Sequence, residues 1–214
     1  MVIPASGAEL AELLAAKVSD ARVLAAVAAV PRERFTPPDL RARAYENVAL
    51  QIGRGQTISQ PLVVARMLEL LELSGSEHVL DVGTGSGYHA ALLARLTASV
   101  CTIERHRSLS DSAARVLREL GVGNVEVFVG DGSLGLPSRA PFDAINVAAA
   151  IRAPVPRELI AQLAPGGRLV APLHLDPNRP ETQHLVVLRK ADPAVTRVVF
   201  EAVRFVPLVA GEPD

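Results

Sequence analysis

The chain has 214 residues, with 22 Lys or Arg against 23 Asp or Glu and a net charge of −1, which offers no basic excess for holding nucleic acid phosphates. Half of it is hydrophobic (49%) but only 3% is aromatic, so Val, Leu, Ile and Ala must build an ordinary globular core. The lone cysteine Cys101 excludes an internal disulfide; no apolar run approaches the ~18–20 residues of a membrane span, and no basic residue precedes Lys17, so a cytoplasmic monomer with no membrane or nucleic acid partner is expected.

Residues 8–18 place Leu10, Leu13, Leu14 and Val18 at helical spacing, and Asp20 can cap a second helix, ARVLAAVAAV, that stops at Pro31. Some thirty residues of weak periodicity follow, rich in Pro, Gly and polar side chains; long irregular stretches inside compact domains are often functional. Pro61 suits the first turn of the next helix, LVVARMLELLEL. From Ser74 the pattern alternates: HVLDVG, SVCTIE, VEVFVGDG, FDAINVAA and GRLVAPL read as strands, with helices between most of them. HLVVLRK and TRVVFEAVRFVPLV read as a closing antiparallel pair. The expected fold is a doubly wound, mostly parallel α/β sheet. Residues 1–60 form a helical cap and a substrate or cofactor loop within the same domain, and residues 61–214 form the core.

HVLDVGTGSGY carries the chemistry. A strand reaching Asp81 leads into a turn of Gly83, Gly85 and Gly87 that opens a helix. A ligand can lie against such a turn only where no Cβ intervenes, and the helix start supplies oriented N–H groups. Glu104 ends the second strand, where a carboxylate can accept both hydroxyls of a ribose, and Asp131 ends the third, where one can accept an adenine amino proton. Such a pocket suits an adenosyl methyl donor or NAD. The glycine spacing discriminates: Tyr88 stands where the dinucleotide fingerprint wants a small residue, whereas G-x-G-x-G is the spacing associated with S-adenosylmethionine.

Four stretches, AYENVALQIGRGQTISQP, VLDVGTGSGY, GDGSLGLPSRAPFDAI and EAVRFVPLV, follow in order the motifs of the protein-L-isoaspartate O-methyltransferases, and the chain resembles that family over roughly residues 30–210. The resemblance implies methyl transfer from S-adenosylmethionine to the α-carboxylate of L-isoaspartyl residues in damaged proteins or peptides, with S-adenosylhomocysteine as product. It implies Ser59 as the active-site serine; Thr57, Ser86, Glu104, Arg105, Asp131 and Gly132 as cofactor contacts; and Ile58 and Val206 as backbone contacts to the substrate. The chain departs from the family pattern at Gln51, Leu136 and Ala148, and in the length of segment 148–153. That segment motivates an alternative acceptor, another peptide or small-molecule acid.

Other features read as structural. The five histidines have no metal-ligand spacing, so no metal is expected. His89 reads as a first-turn helix residue, Cys101 as a buried inert thiol, and the arginines of 32–43 as a solvated helical face. No G-x-S-x-G elbow marks Ser59 as a hydrolase nucleophile.

Overall fold

A computed structural model describes residues 3–176, 182–191, 194–211 and 213–214. The chain opens with α1 (Gly7–Leu14) and α2 (Ala21–Ala29). Each starts at a capping side chain: Ser6 Oγ accepts from the Glu9 N–H, and the Asp20 carboxylate accepts from Arg22 and Val23. These bonds satisfy donors that a first helical turn leaves open. Val30 is extended ahead of Pro31, which ends α2.

The stretch expected to be irregular holds two 3-10 turns, Arg32–Phe35 and Pro38–Arg43, and then a hairpin of β1 (Leu50–Gly53) and β2 (Gln56–Ile58). Strands of four and three residues are too short to show an alternation in sequence. Helix α3 (Pro61–Leu70) follows with Pro61 in its first turn.

The core then alternates through β3 (His78–Val82), α4 (Tyr88–Leu96), β4 (Ser99–Glu104), α5 (Arg107–Glu119), β5 (Val125–Val129), β6 (Phe142–Val147), the short β7 (Ile151–Arg152), α6 (Arg157–Ala161) and β8 (Leu163–His174). Strands β9 (Gln183–Ala191) and β10 (Ala194–Val203) close the sheet. Its order is β10-β9-β8-β6-β3-β4-β5, with β7 paired to β8. Strands β3 to β8 pair in parallel, and β8-β9-β10 pair antiparallel. This is the expected doubly wound sheet with its antiparallel pair.

Alternate residues of the central strands enter opposite layers, as the two-residue strand period requires. Val79, Val100 and Ala144 pack with α1 to α4 in one apolar cluster, whereas Leu80, Cys101 and Ile145 pack with Leu159 of α6 in the other. Leu10 and Val27 of the first two helices share the first cluster with Leu68 and Leu92, so these helices are held by core burial and not by loops alone. After β5 the chain returns to the other side of β3 and adds β6 there. A crevice opens at the carboxyl ends of the strands at such a reversal.

Candidate active site

Three cavities meet at the carboxyl ends of β3, β4 and β6. The first, of about 330 Å³, is walled by Gly83 and Gly85, by Glu104 and Arg105 after β4, by Gly132, and by Val206–Val209. The second is a groove of about 750 Å³ between Ser59, Gln60 and Val63 on one side and Ala202–Val206 on the other. Between them lies a small recess of about 30 Å³, lined by Ile58, Ser59, Gly83, Ser86, Tyr88 and His89 among others. Thr57 and Ala148 border all three.

The turn after β3 explains the first cavity. Gly83, Gly85 and Gly87 all have positive φ, which L side chains rarely adopt. Gly132 has another reason to be glycine: a Cβ there would lie 2.5 Å from Cγ1 of Val82. The Glu104 carboxylate accepts from the Gly85 N–H at 2.9 Å and from the His106 N–H at 3.0 Å, which fixes it at the cavity wall. Both its oxygens keep lone pairs for further donors. A backbone face free of side chains beside an anchored carboxylate fits an adenosyl group.

Two residues expected at the cofactor, Asp81 and Gly87, do not line the first cavity. Asp81 has no exposed surface and lies outside the cavity lining. It stands in register with Thr102 and Asn146 on the neighbouring strands, accepting from Asn146 Nδ2 at 2.7 Å and Thr102 Oγ1 at 2.9 Å. The single hydroxyl proton of Thr102 is used on Asp81, so at 2.6 Å Thr84 is the donor to Thr102. Asp81 thus anchors the glycine turn from beneath. Burial pushes its carboxyl up to about 6, although Asn146 and Thr102 pull it down. Gly87 ends the turn against α5. Its absent Cβ would lie 3.1 Å from Cβ of Ala113, so its role is close packing of α4 against α5.

Asp131 sits at the cavity rim, next to the lining residue Gly132. Its carboxylate accepts from Ser133 and, at 2.7 Å, from the Gly211 N–H of the terminal segment. Burial raises this carboxyl, but Ser133, Gly211 and the charge of Arg105 outweigh it and hold it below the ordinary value. Arg105 lines the cavity and donates to Asp214 at 2.9 Å. Ser86 borders the small recess, not the first cavity. Ile58 is buried at the small recess, and Val206 borders the groove. The Val206 carbonyl accepts from the Ala150 N–H at 2.8 Å.

His89 stands in the first turn of α4 as expected, but it also lines the small recess. Burial, reinforced by the charge of Arg32, pulls its pKa down to about 4, so the ring is neutral at physiological pH. Cys101 is buried, and burial pushes its thiol up to about 11. Arg32 contradicts the solvated-face reading of the arginine cluster: it is fully buried behind Ser59, while Arg34, Arg41 and Arg43 remain outside. Sequence reasoning missed it because Glu33 and Arg34 beside it are charged and the cluster was read as one unit. The available signal was its place directly after Pro31 and before Phe35, in a segment tied down by prolines. Among the described residues, no group of three His, Cys, Asp or Glu side chains could hold a metal, and no helix is long and apolar enough to cross a membrane.

Residues 8–213 match the family model described as Protein-L-isoaspartate(D-aspartate) O-methyltransferase (PCMT). A protein-L-isoaspartate O-methyltransferase of Aliivibrio fischeri is 49% identical over 195 residues, covering 91% of both chains. Protein-L-isoaspartate O-methyltransferase 1 of Rhodopseudomonas palustris is 50% identical over 202 residues, 94% of this chain and 81% of the relative. A solved protein-L-isoaspartate O-methyltransferase superposes with a TM-score of 0.84 at 29% identity, covering 96% of this chain and 66% of its own. The fold is shared with a Plasmodium falciparum structure titled as the same enzyme in complex with S-adenosyl-L-homocysteine (TM-score 0.82, 23% identity, 96% and 99% covered).

Proposed function

The chain belongs to the protein-L-isoaspartate(D-aspartate) O-methyltransferase family, and from that premise we propose how its site carries out the reaction. It is an S-adenosylmethionine-dependent enzyme that methylates L-isoaspartyl residues of damaged proteins, a repair activity. The observation that carries the assignment of parts is the meeting of three cavities at Thr57 and Ala148, with Ser59 shared by the groove and the small recess.

S-adenosylmethionine, when bound, supplies a methyl group already activated by a sulfonium charge. Glu104 holds the ribose hydroxyls in the first cavity, Gly83 and Gly85 give backbone room, and Gly132 and Asp131 flank the adenine. Thr57 and Ser86 line the small recess next to Ser59 and would help hold the methyl-donor end of the cofactor there. The first sixty residues act as a cap of the same domain, covering this recess.

The groove takes the isoaspartyl segment. A carboxylate is already ionised at neutral pH, so no general base is needed to create the nucleophile. Ser59 donates a hydrogen bond that holds the carboxylate, and the Val206 N–H is available to the peptide backbone. Alignment and exclusion of water are then the main contribution of the chain, which agrees with a site lined at the transfer point by the hydroxyls of Thr57, Ser59 and Ser86.

The test is methyl transfer from labelled S-adenosylmethionine to paired isoaspartyl and aspartyl peptides, with Ser59→Ala alongside. Label is expected on the isoaspartyl peptide alone. Ser59→Ala is expected to lower kcat about 10- to 100-fold, the worth of one hydrogen bond to a charged group. Label on neither peptide, with the cofactor still binding, would move the acceptor to another acid.

A further inference from the structure

Arg32 has no exposed surface. Among the described residues no carboxylate pairs with it, and burial lowers its pKa only to about 10, so it remains charged. An isolated buried charge is costly, and an apolar side chain of similar size would serve packing better. Its contacts point to another use. Nε donates to the Ala44 carbonyl at 2.8 Å, and one terminal nitrogen donates to the Ser59 carbonyl at 2.8 Å. The guanidinium carbon lies 4.8 Å from the ring centroid of Tyr88, the first residue of α4 after the glycine turn. One planar cation therefore touches the segment entering the hairpin, the serine loop and the cofactor turn.

The Ser59 contact has a geometric consequence. In a trans peptide, C=O and N–H point in opposite directions. With the Ser59 carbonyl drawn inward to Arg32, the N–H of the same peptide unit, on Gln60, points outward, to the side where Ser59 and Gln60 line the groove. That N–H has no acceptor within the described chain. A charged donor on the carbonyl also polarises the amide and makes its N–H a stronger donor.

We propose that Arg32 is a positioning residue for methyl transfer: it fixes the Ser59–Gln60 peptide so that the Gln60 N–H, beside the Ser59 hydroxyl, meets the substrate carboxylate. Through Tyr88 it holds this donor pair at a set distance from the cofactor turn. The role rests on the reading that the groove takes an acceptor carboxylate.

A double-mutant cycle tests it, using Arg32→Lys, Ser59→Ala and the double variant, each assayed for transfer to the isoaspartyl peptide. Melting curves and calorimetric binding of S-adenosylhomocysteine accompany each. Lysine keeps the charge but cannot span both carbonyls. The expected result is a kcat/KM about 10- to 100-fold lower for Arg32→Lys, with S-adenosylhomocysteine affinity within about threefold of wild type. In the Ser59→Ala background the same substitution should cost much less, because the two changes act on one donor pair. Fully additive effects, equal losses of cofactor affinity, or unimpaired transfer would each overturn the role. Should Arg32→Lys fail to fold, the cycle is run with Arg32→Gln, and loss of the fold in both makes Arg32 a structural residue. A wild-type protein inactive on the peptide sinks the activity and this role together; an active wild type with an unimpaired variant sinks the role alone.

Discussion

Glu104 shows how little a single residue needs to add once the backbone has placed it. The strand ends at Glu104, and two N–H groups, from Gly85 and His106, hold its oxygens at the cavity wall. Its charge is what a neutral isostere would lack. Glu104→Gln is therefore expected to weaken S-adenosylmethionine binding about 10- to 100-fold, the range of a lost charge-assisted hydrogen bond. At saturating cofactor, kcat should stay near the wild-type value. Calorimetric titration beside steady-state kinetics separates the two, and an unchanged affinity would remove Glu104 from the ribose site. Glu104 was legible in sequence because a strand end is a local feature. For Asp81 the same local logic did not show its surroundings, because the neighbouring strands supply Thr102 and Asn146 and bury it.

At the scale of elements, that buried row couples the sheet to the turn. The chain runs Thr84 to Thr102 to Asp81 to Asn146 across three adjacent strands and the glycine loop. Because burial holds Asp81 at about 6 against an ordinary 3.8, the folded protein binds this proton more tightly than the unfolded one. Its contribution to stability is thus full below about 3.8 and is lost as pH rises through about 6. Asp81→Asn removes the titration while keeping the shape. The stability of the variant relative to wild type should rise by up to roughly 3 kcal/mol between acidic and alkaline pH. Urea titrations across that range check it, and a pH-independent difference would show that the carboxyl is not perturbed. The β1–β2 hairpin teaches the opposite lesson: three or four residues per strand leave no period to read, and only pairing reveals them.

For the whole molecule, the cavities lie where elements far apart in sequence converge. Thr57 from the hairpin, Gly83 from β3, Ala148 after β6 and Val206 after β10 border one continuous space. A ligand bound there bridges the cap, the parallel sheet and the terminal segment, and so binds only the folded state. At a concentration a hundredfold above its Kd, S-adenosylhomocysteine should add about 2.7 kcal/mol of stability. For a domain of this size that is roughly 5–10 °C in Tm. Scanning calorimetry should find the same shift in Ser59→Ala and a smaller one in Glu104→Gln at equal ligand. A shift absent from all three would detach the cavity from the cofactor.

The sequence alone determined what short-range order controls. Helix starts at Ser6, Asp20 and Pro61 follow from capping and proline chemistry, and the alternation after Ser74 follows from the need to bury both faces of a parallel sheet. The glycine turn is equally local, since positive φ restricts which residues can stand there. Tertiary structure decided everything that depends on which strand lies beside which. It turned Asp81 inward, set Gly87 against Ala113, brought the Gly211 N–H to Asp131, and buried Arg32 behind Ser59. The reason is the same in each case. Burial and hydrogen-bond partners are properties of the space around a side chain, and residues distant in the chain fill that space.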